Sequence, residues 1–495
     1  MLNNIKALVV VLFFATAIFT LARSACLHFM SEEDFRRRRA VWFVTTVAVF
    51  ISPSVWLFIL ITIPIAIWAA KKDSSPLAAS MIIGGATPSF YIAVPHLFAV
   101  NSGTALTLFI AIPVLLGQTL KKSNSNDGAT RQQGNWVAST LLFTFLALQV
   151  IPYWRTESWS SLLRMAFVQI FLAMPGFWLI TRTLKSYRAI NEVMAVFVLT
   201  CALIAPMAVF ESMRGWLLYM GVTQHWNASP NAFAYLMRSG QVRALATADH
   251  SLALGFIMAL GFGFCLHLQR SLNSRKTFAV VGLLMWAGMY AAFSRGPWIA
   301  AVMIMFVYLW LMPKGTGRVV KAAIVTGLIG AVIAVTPFGE RIINVLPFVG
   351  KLETGNIDYR QALLDRALQL IPLKPWFGDI FVLRQMEDLR QGQGIIDLVN
   401  GFLLIALFYG LVPLLILLWF ILIVIFKVQR ASLNSRFFDL NVSSLGSILI
   451  ACIAGTIFYI WIARFAGELV FLSGLGLAYA KLVSADNHAA VRRLS

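Results

Sequence analysis

The chain has 495 residues, 59% of them hydrophobic and 12% charged, with a mean hydropathy of +0.80. Those values exclude an ordinary water-soluble globule and leave a polytopic membrane protein. The net charge of +20 does not call for nucleic acid, because the cations cluster between apolar runs: Arg36 to Arg39, Lys71-Lys72, Lys121-Lys122, Arg182 with Lys185 and Arg188, Arg270 with Arg275 and Lys276, Lys314 with Arg318 and Lys321, and Lys427 with Arg430. Clusters so placed read as cytoplasmic loops under the positive-inside rule.

The first apolar run, Ile5 to Leu21, resembles a signal sequence, but Arg23 spoils the cleavage pattern, so a retained anchor helix is expected. Ala40 to Ala70 is twice one helix in length and breaks at Ser52-Pro53-Ser54, which predicts a helical hairpin. Crossings are then predicted at Pro76 to Val94, His96 to Leu120, Trp136 to Pro152, Leu162 to Ile180 and Val193 to Phe210. The loop Tyr153 to Ser161 is assigned to the periplasmic side, with Trp154 and Trp159 in the interfacial aromatic belt.

A polar stretch, Glu211 to His250, forms the next periplasmic loop by alternation. It is followed by helices at Ser251 to Leu268 and Phe278 to Ala292, a turn at Phe293-Ser294-Arg295-Gly296-Pro297-Trp298, and helices at Ile299 to Met312 and Ala322 to Thr336. Pro337 to Leu398 is the longest non-membrane stretch and holds eight acidic residues against seven basic ones, so it reads as a second periplasmic loop. Within it a helix is predicted near 358–371, with Asp358 as N-cap, Gln361 at the capping-box position, and Leu363, Leu364, Ala367, Leu368 and Ile371 on one face. Pro372 ends it, and an amphipathic helix there is expected to lie on the bilayer surface or to lid a cavity. Crossings at Asn400 to Phe426, Ser443 to Ile462 and Phe465 to Lys481 complete the chain. The expected architecture is a single all-α membrane domain over 1–495, with 13–15 transmembrane helices and long loops at 211–250 and 337–398.

No Asp-x-Asp loop, HExxH or Walker motif is present, and Cys26, Cys201, Cys265 and Cys452 show neither paired nor metal-ligand spacing. Neither metal nor cofactor is implied. Arginines near helix starts are the remaining chemical signal: Arg238 and Arg243 before the helix at Ser251, and Arg295 in the FSRGPW turn. Each alone reads equally well as a snorkelling anchor or as a ligand for an anion such as a lipid diphosphate, whereas three on one face favour the anion site. Asp249 is expected to cap the helix at Ser251, with His250 as a candidate proton acceptor.

Four stretches in chain order carry a resemblance: RSGQVRALATADHSLALG from Arg238, FSRGPW, YRQALLDRALQLIPLKPWFGD from Tyr359, and DLVNGFLLIALFYGLVPL from Asp397. Together they resemble the bacterial O-antigen ligase and O-antigen or exopolysaccharide polymerase superfamily. The likeness implies a metal-independent glycosyltransferase of the C-type architecture in the bacterial inner membrane. It would move a sugar chain from undecaprenyl diphosphate to a hydroxyl acceptor, among membrane lipids and other polysaccharide-assembly proteins. By resemblance Arg243 and Arg295 bind the diphosphate, with Arg238 and Arg360 as further candidates. Ligases carry a histidine in an H-N-x-x-L pattern where this chain has Val399-Asn400-Gly401-Phe402-Leu403. That departure favours a polymerase of repeat units over a ligase, and it leaves Asp397 or His250 as the catalytic base. A flippase for lipid-linked sugar is the alternative from another class; it requires ionisable residues lining a path through the crossings.

Overall fold

A computed structural model of the chain describes residues 2–92, 100–114, 116–117, 135–155, 158–228, 237–238, 240–272, 275–335, 354–390, 396, 398–436, 439–464 and 467–494. Ten described helices are long and apolar enough to cross a membrane, and three shorter apolar helices accompany them. Strand among the described residues is confined to two hairpins of two-residue strands. The protein is therefore an all-α, multi-pass membrane protein. It divides into two compact units, one of residues 1–132, 171–297 and 477–495, the other of 133–170 and 298–476.

The first unit opens with α1 (Leu2–Cys26), α2 (Glu32–Ile51), α3 (Val55–Lys72) and α4 (Pro76–Ala86). A hairpin of β1 (Tyr91–Ile92) and β2 (Val100–Asn101) leads into the short α5 (Ser102–Leu106) and a π-helical turn, Thr107–Ala111. The α2–α3 hairpin turns at the predicted Ser-Pro-Ser break, where the Ser54 hydroxyl caps α3 by accepting from the Leu57 amide at 3.3 Å. The expected crossing from Pro76 to Val94 is corrected: α4 stops after 11 residues. Pro88 disfavours helix at Thr87, and the Thr87 hydroxyl turns back to the Ile83 carbonyl at 2.8 Å. The stretch His96 to Leu120 lies partly outside the described residues.

The second unit begins with α6 (Trp136–Leu148), a 3-10 turn at Ile151–Arg155, and α7 (Trp159–Ala166). Trp154 and Trp159 are both exposed and meet edge to face at 4.9 Å. The chain returns to the first unit through α8 (Ala173–Thr183) and then forms α9 (Tyr187–Arg214), the element around which that unit packs. This 28-residue helix is apolar on all sides and buries most of its length, which suits an interior span rather than a lipid-facing one. Small residues let neighbours approach it closely. A Cβ at Gly85 of α4 would sit 2.2 Å from Thr200 Cγ2, and one at Gly261 would sit 2.9 Å from Cys201 Sγ. A Cβ at Gly288 would lie 3.4 Å from Ala205 Cβ.

After α9 come α10 (Met220–His225), a hairpin of β3 (Met237–Arg238) and β4 (Gln241–Val242), α11 (Ser251–Leu268), α12 (Arg275–Ala291) and α13 (Arg295–Leu311). At the end of the unit away from the α2–α3 turn, Arg38 is buried and bonds Asp73 through Nε and a terminal nitrogen at 2.9 and 2.6 Å, and Glu192 at 2.6 Å. The basic run Arg36 to Arg39 therefore lies inside a helix, not in a loop. Its third arginine ties α2 to the α3–α4 junction and to α9.

The remaining elements are α14 (Gly315–Val335), α15 (Thr354–Leu370), α16 (Gly401–Phe408), α17 (Leu411–Ser435), α18 (Leu440–Ile462) and α19 (Glu468–Leu494). Helix α17 buries Leu417, Phe420, Ile421, Val424 and Val428 while Leu415, Trp419, Leu422 and Phe426 stay exposed. Both faces are apolar, as a helix between protein and lipid requires. Its junction with α18 is held by hydroxyls, Ser432 Oγ donating to the Ser443 carbonyl at 3.0 Å.

Two details of the long loop differ from expectation. Helix α15 starts at Thr354, so Asp358 lies within its first turns, and the Gln361 amide donates to Asp365 at 3.3 Å instead of closing a capping box. The buried stripe runs through Leu363 and Ala367 with Tyr359, Leu370 and Ile371 beside them, packed on Val382, Met386 and Leu407. Leu364 and Leu368 face outward at 37% and 57% exposure. The expected single crossing from Asn400 to Phe426 is broken at Gly410, whose φ of 91° no helix accommodates.

Candidate functional site

Four of the segments joining helices in the first unit converge at the end that holds the α2–α3 turn. Glu211, in the last turn of α9 and 1% exposed, ties together the segments before and after α10. Its carboxylate accepts from the amides of Leu218 at 2.9 Å, Leu245 at 2.9 Å and Ala246 at 2.8 Å. Three backbone donors satisfy the buried acid and in return fix the segment that carries Arg243. Nothing in the sequence distinguished Glu211 from the first residue of a polar loop, because backbone amides leave no side-chain signature.

Arg243 is partly buried. Its Nε donates to the Ala292 carbonyl at 3.3 Å and a terminal nitrogen donates to Ser294 Oγ at 2.5 Å. The next amide, of Ala244, donates to the Ala291 carbonyl at 3.0 Å. The loop before α11 and the FSRGPW turn are thus one structure, and Ser294, which Arg243 holds, is the residue before Arg295. The Ala292 carbonyl and the Ser294 hydroxyl are neutral acceptors that orient the guanidinium.

The turn itself is a built feature. Phe293 has a φ of 45° and Ala246, in the opposing loop, a φ of 47°. Left-handed backbone at residues other than glycine is costly and persists where surrounding bonds enforce it. Arg295, Gly296 and Pro297 form the first turn of α13, the tolerated position for proline. Pro297 lies against α11: a Cβ at Gly255 would sit 2.8 Å from its Cγ. The N-terminal ends of α11 and α13 therefore abut, both presenting the positive pole of a helix beside Arg243 and Arg295.

The other expected site residues are placed as follows. His250, not Asp249, is the N-cap of α11, its Nδ1 accepting from the Ala253 amide at 2.9 Å. A neutral ring so engaged carries its proton on Nε2, so taking up a second proton requires the cap to break. Asp249 accepts from the Ser89 hydroxyl at 3.1 Å. Arg238 pairs through its backbone with Gln241 in the β3–β4 hairpin, which turns at Gly240. Arg360 is exposed on α15 in the second unit. Asp397 lies outside the described residues. Asn400 caps α16, its Oδ1 accepting from the Phe402 and Leu403 amides at 3.1 Å each. No group of three or more potential metal ligands occurs among the described residues.

The last two of the four sequence stretches meet within the second unit. The Leu411 amide donates to the Pro375 carbonyl at 2.7 Å, and the Asp379 amide donates to the Leu407 carbonyl at 2.8 Å. Two glycines allow this approach: a Cβ at Gly378 would lie 2.5 Å from the Phe408 carbonyl carbon, and one at Gly410 would lie 2.2 Å from the Trp376 oxygen. Asp379 pairs with Lys374 and accepts from the Phe381 amide at 3.0 Å. Burial pushes its carboxyl up, but the Lys374 ammonium and the Phe381 amide outweigh that and hold it below the usual carboxylate range. Arg155 adds a bond to the Gly378 carbonyl at 3.3 Å.

No known protein-family model matches the chain, and no curated protein sequence is significantly similar to it.

Proposed function

We propose that the protein is a membrane glycosyltransferase that polymerises undecaprenyl-diphosphate-linked oligosaccharide repeats into exopolysaccharide or O-antigen at the periplasmic face of the bacterial inner membrane. The observation that carries this reading is the bond from Arg243 to Ser294, which joins two arginine-bearing segments, remote in sequence, at a pair of helix N-termini. That arrangement suits a diphosphate. Guanidinium groups bind its oxygens bidentately, and helix poles add positive potential without a mobile ion.

In the proposed reaction an acceptor hydroxyl oxygen attacks the anomeric carbon of the lipid-linked sugar. The bond from that carbon to the diphosphate oxygen breaks, and the electron pair leaves with the diphosphate, whose growing charge Arg243 and Arg295 stabilise. The hydroxyl proton passes to a base, for which Asp397 is the proposed residue. His250 is the weaker choice, because its Nδ1 is committed to the helix cap. The bonding of Asn400 to two amides supports a structural role for the N-G-F-L stretch, in keeping with a chain that lacks the ligase histidine. The flippase alternative gains little: the buried charges Arg38, Asp73 and Glu192 are closed on one another by ion pairs.

The test is an assay of purified protein in nanodiscs with a lipid-linked repeat, reading product length on a gel. Wild type is expected to build long chains and Arg295→Ala to build none while inserting normally. Unchanged repeat length with wild type, or normal chains from Arg295→Ala, rejects the proposal.

A further inference from the structure

A shallow groove between α3, α4 and α5, open along part of its length, is lined by Phe58, Thr62 and Ala66 of α3, Ile83 of α4, Phe90, and Leu106 of α5. It is apolar even where threonines line it. The Thr62 hydroxyl donates to the Phe58 carbonyl at 2.7 Å and that of Thr87 to the Ile83 carbonyl at 2.8 Å, which leaves their methyl groups to the groove. From Phe58 to Ala66 it follows α3 for eight residues, about 12 Å at the helical rise.

One end of this groove packs against the segment that carries Arg243. Phe58 stacks on Trp226 at 5.1 Å and Phe90 meets the same indole edge-on at 6.1 Å, while the Trp226 Nε1 donates to the Ser52 carbonyl at 3.0 Å. Ser89, beside Phe90, donates its amide to the Thr247 carbonyl at 3.0 Å and its hydroxyl to Asp249 at 3.1 Å. Thr247 is four residues from Arg243, at most about 14 Å of chain. The other end descends along α3 towards Lys71-Lys72, into the apolar depth of the bundle. A polar, cationic end joined to an apolar trough along a spanning helix matches a lipid with an anionic head and a long hydrocarbon tail.

We propose that this groove seats the head-proximal part of the isoprenoid chain whose diphosphate Arg243 and Arg295 hold, an inference that rests on the glycosyltransferase reading. Methyl-branched isoprene units carry no hydrogen-bonding group, and the groove is almost wholly apolar. Two arginines match a terminal diphosphate better than the singly charged diester of a phospholipid, and the diphosphate lipid of the proposed function is an isoprenoid.

The experiment uses full-length protein in phosphatidylcholine nanodiscs and an undecaprenyl diphosphate analogue bearing a diazirine on its second isoprene unit. Cross-links mapped by mass spectrometry are expected at Phe58, Thr62, Ala66 or Leu106, competed by undecaprenyl diphosphate and not by phosphatidylglycerol. Ala105→Phe, which fills the groove, should lower labelling about tenfold. Leu60→Phe on the exposed side of α3 should leave it unchanged. Labelling of the groove without chain extension supports the groove while rejecting the polymerase reading. Chain extension by wild type with cross-links elsewhere, or equal competition by phosphatidylglycerol, overturns the groove and leaves the polymerase reading standing.

Discussion

Glu211 fixes the segment that carries Arg243, and it does so through backbone amides alone. A glutamine there keeps one acceptor oxygen for the Leu245 and Ala246 amides but turns its own NH2 toward the Leu218 amide, donor against donor. A buried donor left unpaired costs about 1–3 kcal/mol. Glu211→Gln should therefore lower the thermal midpoint by several degrees, and in the nanodisc assay raise the KM for lipid-linked repeat more than it lowers kcat. A midpoint equal to that of wild type would show that the three amides do not depend on this carboxylate. Such a residue is invisible to sequence reasoning. The arginines were legible because a cation at a membrane boundary is conspicuous, whereas an acid at the end of an apolar run looks like the start of a loop. The cap of α11 was misread for a related reason: Asp249 and His250 are adjacent and both can accept, and only the backbone path, with His250 at φ −151° and ψ 161°, selects the histidine.

At the scale of elements, hydropathy located helices well because bilayer thickness fixes their length. The spans at Ser251–Leu268 and Leu440–Ile462 lie within a few residues of expectation. It failed where a helix breaks without losing apolar character, as between α16 and α17. There Gly410 interrupts a run that remains hydrophobic throughout. Gly410→Ala meets both a φ of 91° and the Trp376 oxygen at 2.2 Å. The expected outcome is loss of protection of 374–379 in amide exchange, with α18 unaffected; retained protection would mean that the two backbones separate without cost. The same junction carries a pH dependence. Asp379 is ionised in the folded protein to a lower pH than in the unfolded chain, so its contribution is present above the usual aspartate pKa and disappears as pH falls through the folded value. Pepsin should cut within 374–390 faster as the pH drops below about 4. Asp379→Asn should be cut at the fast rate throughout, and identical pH profiles for both proteins would exclude this role.

Across the whole molecule, the four sequence stretches fall into two assemblies, one in each compact unit. The first joins the Arg243 loop to FSRGPW, and the second joins KPWFGD to FYGL. The composition announced a multi-pass membrane protein, but these pairings rest on backbone hydrogen bonds and on glycines that meet other chain segments. No hydropathy profile encodes such contacts. The arginine assembly bears the functional reading, and its affinity for diphosphate can be measured without knowing the sugar. Undecaprenyl diphosphate should be titrated into nanodiscs holding wild type, Arg243→Ala, Arg295→Ala and the double variant. Charge-assisted hydrogen bonds contribute about 1.5–3 kcal/mol each, so either single variant should bind about tenfold to a hundredfold more weakly. Since the proposal has both arginines contact one head group, the double variant should lose less than the product of the two. Affinities within about twofold of wild type for both single variants would show that this pair of arginines does not hold the diphosphate.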